Sequence, residues 1–180
     1  EKLIMAVMRS VFYVPSNNEK MVTKATSIEV DILTLDLEDS VPPAEKVRGR
    51  EMIKKYLDSA RAKQKAKYFY VRINNWETEM TNDDLEAVVY PGLDGVCLAK
   101  CGSKENVTRL AWKLEELEQR RGMKVGSVAI QLLIETAKGV INAHEAATAS
   151  PRVGSLIFGA VDYTKDMRVT LTSEGQEQLY

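Results

Sequence analysis

Six short apolar runs recur along the chain, and each is followed by polar or charged residues. Runs of this length, rich in Val, Ile and Leu and separated by stretches of helical character, predict the strands of a parallel α/β sheet. The predicted strands are Val11–Val14, Ile32–Leu35, Tyr68–Ile73, Gly95–Ala99, Val128–Ile134 and Ser155–Val161. Because the C-terminal ends of parallel strands share one edge, the polar residues that follow them are candidates for a single site.

Three of the intervening stretches carry helix signals. Pro43 suits the first position of a helix that we predict to run to about Gln64. Ser103 is the predicted N-cap of a second helix, which ends before Gly122. The apolar face of that helix comprises Val107, Leu110, Leu114 and Leu117. Residues 136–149 predict a third, Ala-rich helix that stops before a proline.

Six βα units are compatible with two architectures. An open doubly wound sheet is complete with about five or six strands, whereas a (β/α)8 barrel needs eight strands and about 250 residues. The length of 180 residues therefore favours the open sheet as one domain spanning residues 1–180. Against this, the sequence stops inside a newly capped helix, Ser173–Glu177, which suggests a truncated barrel.

Composition narrows the function classes. A hydrophobic content of 44%, a charged content of 28% and a net charge of −1 argue against a nucleic-acid or membrane-surface partner. No apolar run approaches the ~18–20 residues of a membrane helix, and no signal peptide is visible, so we expect a cytoplasmic protein. Motifs for dinucleotide binding, P-loop phosphoryl transfer and serine hydrolysis are absent from the sequence.

The sequence offers few ligands for zinc. Cys97 and Cys101 are spaced more widely than a Cys-x-x-Cys pair, and Cys97 falls inside a predicted strand, as expected for a buried thiol. The one histidine, His144, falls in the middle of a predicted helix. These residues disfavour zinc and favour a site built from oxygen ligands.

Glu135 and Asp162 both follow predicted strands and form the candidate metal site. Two carboxylates at one edge suit Mg²⁺, which takes one or two protein carboxylates and fills its other positions with water and substrate oxygens. We expect their nearest oxygens to lie within about 5 Å of each other, so that they share one cation. Alternatively, Glu135 is a helix N-terminal acid that interacts with the helix dipole.

Arg72 and a cluster of acids occupy the same predicted edge. An arginine near the end of an apolar strand is costly to bury unless it holds an anion, and its planar fork matches a carboxylate. Asp36, Glu38 and Asp39 follow the second strand closely enough to raise their pKa values unless a cation compensates. The alternatives are an ion pair between Arg72 and one of these acids, and acids that are surface charges of a turn.

Five motifs, in order, resemble the citrate lyase β-subunit-like family, which includes malyl-CoA lyase and lies within the HpcH/HpaI aldolase superfamily. They are RSVFYVP at 9–15, LDLEDSVPPAEK at 35–46, VRIN at 71–74, LIETAKG at 133–139 and FGAVDY at 158–163. The resemblance runs from about Arg9 to Tyr180. It implies a TIM (β/α)8-type barrel of which this chain holds the first six units, and so reverses the preference for an open sheet.

The resemblance also implies a cofactor, a site and partners. Mg²⁺ is the implied cofactor, and a homo-oligomer, a trimer or hexamer, is the implied assembly. The implied metal ligands are Glu135 and Asp162. The implied catalytic residues are Arg72, Glu38 and Asp39. The implied substrate-binding residues are Arg72, Glu135, Lys100 and Asn74.

The implied reaction is a retro-Claisen cleavage of a 3-hydroxy-3-carboxy acyl thioester, carried on CoA or an acyl-carrier protein, to a keto acid and an acetyl thioester. Mg²⁺ would chelate the hydroxyl and carboxylate oxygens, and Arg72 would stabilise the developing negative charge. Basic residues near the second strand could meet CoA phosphates or form a solvated helix face. They are Lys46, Arg48 and Arg50.

Three departures from the family pattern affect these expectations. Pro15-Ser16-Asn17 replaces the usual PGN or PGS turn, and Leu98-Ala99-Lys100 keeps the lysine of LPK but not its proline. Many such lyases also use an acid from a C-terminal segment, often from a neighbouring subunit, that these 180 residues do not include. A second hypothesis is therefore a catalytically silent, metal-binding subunit that acts in the assembly or regulation of a lyase complex.

Overall fold

Every predicted apolar run forms a strand. The computed structural model describes residues 8–59, 61–170 and 172–173. Its strands are β1 Val11–Pro15, β2 Ile32–Asp36, β3 Tyr68–Ile73, β4 Gly95–Leu98, β5 Ala129–Ile134 and β6 Val153–Phe158. The apolar, β-branched composition of these runs suits strands that are covered on a face by helices, and β2 and β4 are buried along their whole length.

Helices connect the strands. They are α1 Glu19–Ala25, α2 Lys46–Ser59, α3 Thr81–Val88, α4 Lys104–Arg120, α5 Ala137–Ile141, α6 Ala143–Thr148 and α7 Ala160–Asp166. Short 3₁₀ turns lie at Pro43–Glu45, Arg61–Lys63 and Trp76–Thr78. No helix among the described residues is long and apolar enough to cross a membrane.

The sheet confirms the partial barrel. All five neighbouring strand pairs are parallel, and the strand order follows the sequence from β1 to β6. A doubly wound sheet would reverse its order at an inner strand, so the open-sheet alternative is wrong. In this half-barrel β1 and β6 are the two edge strands.

The hydrophobic core lies between the strands and the helices. Alternate strand residues, such as Leu35, Val71 and Leu132, belong to this core together with the buried residues of α4. The intervening residues point to the other face, where Tyr70 lies over Gly95. A Cβ on Gly95 would sit 2.5 Å from the Tyr70 ring, so only glycine leaves room for the tyrosine there.

Two of the predicted helices differ in detail from those in the structure. Ser103 occupies the N-cap of α4, but its side chain makes no capping hydrogen bond. Residues 136–149 form two helices rather than one, because the chain breaks at Asn142, whose side chain donates to the Gly102 carbonyl at 2.9 Å. The predicted helix 173–177 falls mainly outside the described residues.

The sixth strand is shorter than predicted. It ends at Phe158, and α7 begins at Ala160, so Asp162 lies in the first turn of a helix and does not directly follow a strand. Gly159 makes this early turn, and its N–H donates to the Ile134 carbonyl at 2.9 Å. The turn brings the start of α7 beside the end of β5.

Candidate functional site

The structure gathers the predicted site residues at the C-terminal edge of the sheet. Lys100, Glu135 and Asp162 line one open cleft there. Glu38 reaches the same place through Lys100, whose Nζ lies 2.5 Å from Glu38 Oε1. Parallel packing of consecutive strands therefore brings together residues that are far apart in the sequence, as the pattern of strand ends predicts.

Arg72 forms the ion pair that the sequence left as an alternative. Its Nε and Nη2 donate to the two oxygens of Asp36 at 2.7 and 2.6 Å, and its Nη1 lies 3.3 Å from Glu38 Oε2. Burial acts to raise the pKa of Asp36, but the Arg72 guanidinium outweighs it and the pKa is lowered. One edge of the guanidinium is thus occupied, and the other edge faces Glu38.

Asp36 also organises the acidic segment that follows it. Its Oδ1 accepts a hydrogen bond from the Glu38 N–H at 2.8 Å, and its Oδ2 accepts hydrogen bonds from the Ser40 N–H and hydroxyl. The carboxylate is only 1% exposed. Charge-assisted hydrogen bonds of this kind are strong, so Asp36 fixes Arg72 and the segment 38–40 in a single arrangement.

Lys100 connects the acidic segment to Glu135. Its backbone N–H donates to Glu135 Oε1 at 2.9 Å, while its ammonium pairs with Glu38 and lies 3.5 Å from Asp39. The residue has a φ of 49°, in the left-handed region that side chains rarely adopt. Such strain is typical of functional sites, and here it directs the N–H and the side chain toward two different carboxylates.

Glu135 is a buried carboxylate with too little positive charge around it. Burial, followed by the nearby charges of Glu38 and Asp162, raises its pKa to about 7 although the Lys100 N–H opposes the shift. Its Oε2 lies against Gly159, where a Cβ would be 2.7 Å from that oxygen. Gly159 therefore leaves the space in which the carboxylate sits.

The acidic side chains that line the cleft offer only oxygen atoms as possible metal ligands. Among the described residues, no three His, Cys, Asp or Glu side chains come together as metal ligands. The pair Glu135 and Asp162 remains, and a hard divalent cation that keeps several waters fits such a pair. A cation there would offset the repulsion that raises the pKa of Glu135.

Three residues that were predicted to contact ligands are bound by protein groups in the structure. Lys46 is buried and is bound by protein oxygens, and Arg50 pairs with Asp84 at 2.8 Å. Arg48 alone of the three basic residues is exposed. The amide of Asn74 accepts from Lys46 and donates to Asp84 and to the Leu37 carbonyl, and a substrate contact of Asn74 stays a prediction.

Sequence reasoning missed the residues that support the site. The sequence offers Asp36 as one of three acids that could pair with Arg72, but it does not single out Asp36 as the partner. Gly159 lies within a recognised motif but has no predicted role. Lys46 is predicted to meet CoA phosphates or to lie on a solvated helix face, and the structure buries it. Tyr13 places its ring 5.3 Å from the Arg72 guanidinium, and its hydroxyl lies 3.7 Å from the thiol of Cys97, which is buried as predicted.

Comparison with known proteins assigns the family. A model of the HpcH/HpaI aldolase/citrate lyase family matches residues 9–180. The chain belongs to this family. It is 34% identical over 172 residues to the citrate lyase subunit beta of Leuconostoc mesenteroides subsp. cremoris, covering 96% of this chain and 56% of that protein. It is 30% identical over 159 residues to a (3S)-malyl-CoA thioesterase of Cereibacter sphaeroides, covering 88% of this chain and 51% of that protein.

Solved structures of the HpcH/HpaI family share the fold. The citrate lyase beta subunit from M. tuberculosis, complexed with oxaloacetate and magnesium, is 26% identical with a TM-score of 0.71, covering 92% of this chain and 65% of that one. The CitE protein of the same organism, in complex with magnesium, acetoacetate and coenzyme A, is 27% identical with a TM-score of 0.70, covering 92% and 54%. The chain spans about half the length of the curated relatives it matches.

Proposed function

We propose that this chain carries the metal-binding part of the active site of a Mg²⁺-dependent carbon–carbon lyase. Its substrate would be a 3-hydroxy-3-carboxy acyl thioester of the citryl, malyl or citramalyl type, and its products a keto acid and an acetyl thioester. Family membership supports the reaction class, and the magnesium and coenzyme A in related structures support the cofactor and the carrier. An acyl-carrier protein is the alternative carrier.

The observation that carries the proposal is the state of Glu135. It is buried, one of its oxygens is held by a backbone N–H, and its pKa is raised to about 7 beside a second acid, Asp162. Structural carboxylates in this protein behave differently, since Asp36 and Glu118 are paired with arginines and have lowered pKa values. An uncompensated carboxylate pair in an open cleft is what a divalent cation site requires.

The roles of the side chains follow from their contacts. Glu135 and Asp162 would hold Mg²⁺, which when bound supplies a Lewis acid that lowers the pKa of the substrate hydroxyl. Asp36 occupies the Nε edge of Arg72, and Nη1 on the other edge lies 3.3 Å from Glu38. A substrate oxygen that carries developing negative charge would compete with Glu38 for this second edge. Lys100 neutralises Glu38 and keeps Glu135 in place through its N–H.

The assembly is also part of the proposal. We expect the working protein to be a homo-oligomer, a trimer or hexamer, as its resemblance to the citrate lyase β-subunit-like family implies. Light scattering of the intact protein measures this directly, and a monomer at every concentration would contradict it.

The test is an assay of the intact protein on a panel of acyl thioesters with Mg²⁺. We expect cleavage of one of them, abolished by EDTA and restored by Mg²⁺. Glu135→Gln and Asp162→Asn should each weaken Mg²⁺ binding, measured by calorimetry, by at least about tenfold. Asp166→Asn is the control, because Asp166 lines the same cleft but accepts a hydrogen bond from the Ala137 N–H.

The outcomes separate the two hypotheses. Binding of Mg²⁺ that depends on Glu135 and Asp162, without cleavage of any thioester on CoA or a carrier protein, would favour the silent metal-binding subunit. No binding of Mg²⁺ by the wild-type protein would contradict the metal site itself.

A further inference from the structure

Lys46 is a buried cation that the proposed mechanism does not use. It lies at the start of α2 and is 6% exposed. Its ammonium donates to three oxygens: the Leu37 carbonyl, the Glu38 carbonyl at 2.8 Å and Asn74 Oδ1 at 2.9 Å. An ammonium has three N–H donors, so all of them are engaged and none remains for a ligand.

Lys46 binds the carbonyls of both peptide groups that flank the Cα of Glu38. The carbonyl of Glu38 accepts from Lys46, and its N–H donates to Asp36 Oδ1 at 2.8 Å. The side chain of Glu38 extends from this doubly held backbone to Lys100 and Arg72. The N–H of Glu38 is thus bound by a buried carboxylate, and its carbonyl accepts both from Lys46 and from the Val41 N–H at 3.1 Å.

The third acceptor ties Lys46 to the next strand. Asn74 follows β3, and its backbone N–H and its amide nitrogen both donate to Asp84 Oδ2, at 2.9 and 2.7 Å. Asp84 is fully buried and also accepts from Arg50. Lys46 therefore connects the segment after β2 to a fixed point after β3, and it adds to the direct link that the Leu37 N–H makes to the Arg72 carbonyl at 2.9 Å.

We propose that Lys46 is a positioning residue that holds Glu38 in its place between Lys100 and Arg72. The proposal rests on the proposed lyase function for its kinetic effect, and on the structure alone for its effect on the segment 37–40. A lysine suits the position because three oxygens converge on one point, and a compact ammonium meets them where a planar guanidinium does not.

The kinetic test compares Lys46→Met and Lys46→Arg with the wild type. Lys46→Met keeps the apolar stem and removes three hydrogen bonds, whereas Lys46→Arg keeps the charge and is the gentler variant for folding. We expect kcat per folded molecule to fall at least about tenfold in Lys46→Met and at least about threefold in Lys46→Arg. The KM should change by less than about twofold in both, since Lys46 touches no ligand.

A double-mutant cycle distinguishes positioning from general destabilisation. If Lys46 acts through Glu38, Lys46→Met should lower kcat per folded molecule much less in a Glu38→Gln background than in the wild type. Arg152→Met is the matched control, because Arg152 pairs with the buried Glu118 at 2.7 Å, away from the cleft. It should lower stability and leave kcat per folded molecule unchanged.

Hydrogen exchange supplies a readout that does not need activity. In Lys46→Met the amides of residues 38–40 should exchange at least about tenfold faster than in the wild type. Arg152→Met should not accelerate exchange in this segment more than elsewhere in the protein. Unchanged exchange in residues 38–40 overturns the proposal, as does an undiminished kinetic loss in the Glu38→Gln background or an equal kinetic loss in Arg152→Met. If the wild-type protein cleaves no thioester, the lyase function fails and the exchange comparison still decides the role of Lys46.

Discussion

Asp36 and Arg72 are direct neighbours across β2 and β3, and Arg72 donates two parallel hydrogen bonds, of 2.7 and 2.6 Å, to the carboxylate of Asp36. The parallel register places Asp36, the last residue of β2, beside Arg72 of β3. The sheet therefore determines the relative position of the two side chains, and no flexible loop is involved. A bidentate pair on two strands holds a guanidinium in a fixed plane. This geometry makes the chemistry of Arg72 sensitive to the shape of its side chain as well as to its charge.

Arg72→Lys should lose most of the activity although the charge is kept. A lysine ammonium cannot bind Asp36 through two parallel hydrogen bonds and also present a second edge to the substrate. We expect kcat/KM to fall by at least about tenfold, which corresponds to ~1.4 kcal/mol. Arg120→Lys, at an exposed arginine on α4, is the control and should leave kcat/KM unchanged. A loss below about threefold for Arg72→Lys would count against a bidentate role.

Asp36→Asn should destabilise the fold as well as the site. The substitution leaves Arg72 half-buried without its partner and weakens the hydrogen bonds to residues 38–40, so we expect a loss of about 3 kcal/mol. Urea unfolding measures this change. Asp83→Asn is the comparison, because Asp83 also pairs with an arginine but its side chain is 72% exposed. This variant should lose less than ~0.5 kcal/mol of unfolding free energy. Equal losses in the two variants would refute the structural role of Asp36.

Gly159→Ala should weaken Mg²⁺ binding without removing a ligand. The added Cβ would lie 2.6 Å from the Cβ of Glu135 and 2.7 Å from its Oε2, so the carboxylate must move. We expect the dissociation constant for Mg²⁺, measured by calorimetry, to rise by about tenfold or more. Gly154→Ala is the control, because the added methyl group has nothing within 4 Å, and this variant should bind Mg²⁺ with the affinity of the wild type. Unaltered affinity in Gly159→Ala would show that Glu135 is not held in this position.

Glu118→Gln should change how stability depends on pH. Burial acts to raise the pKa of Glu118, but Arg152 and the N–H groups of Val128 and Gly126 outweigh it, and the net shift is downward. A lowered folded-state pKa means that the charged form stabilises the fold. This contribution is complete above the unfolded-state pKa of ~4.3 and is lost as the pH falls through the folded-state value.

Urea unfolding of wild type and Glu118→Gln between about pH 7 and pH 3 measures this contribution. The variant should be less stable by about 3 kcal/mol at pH 7, because Arg152 loses a buried partner, and the difference should shrink below about pH 4. The exposed Glu115→Gln serves as the control. A stability difference that stays constant with pH would show that the ionisation of Glu118 does not contribute.

The strands and the site edge were predictable because they depend on local pattern. Apolar runs of strand length mark the sheet, and the residue after each run marks the shared edge, which located Lys100 and Glu135 correctly. The end of β6 was not predictable in this way, because the apolar run continues through Val161 into α7. The strand and the helix are separated there by the turn at Gly159, which lies against Glu135.

The partners within the site could not be read from the pattern. Arg72 had three acids within reach, and the choice of Asp36 depends on the register between β2 and β3. Lys46 lies in a segment rich in charge that is typical of a solvated helix face, yet the packing of α2 against the sheet buries it. Such assignments depend on tertiary structure, which periodicity along one segment does not contain.

The sequential order of the strands has a consequence for how this chain folds. Each described strand pairs only with its neighbours in sequence, as Leu33 does with Phe69 and Leu132 with Leu156, so every pairing closes a loop of one helical unit. Pairing with the next strand in sequence is the most local pairing that a parallel sheet allows, and the entropic cost of closing a loop grows only slowly with its length. Each strand pair therefore forms at a similar entropic cost, and no pairing in the described sheet requires a strand from a distant part of the chain.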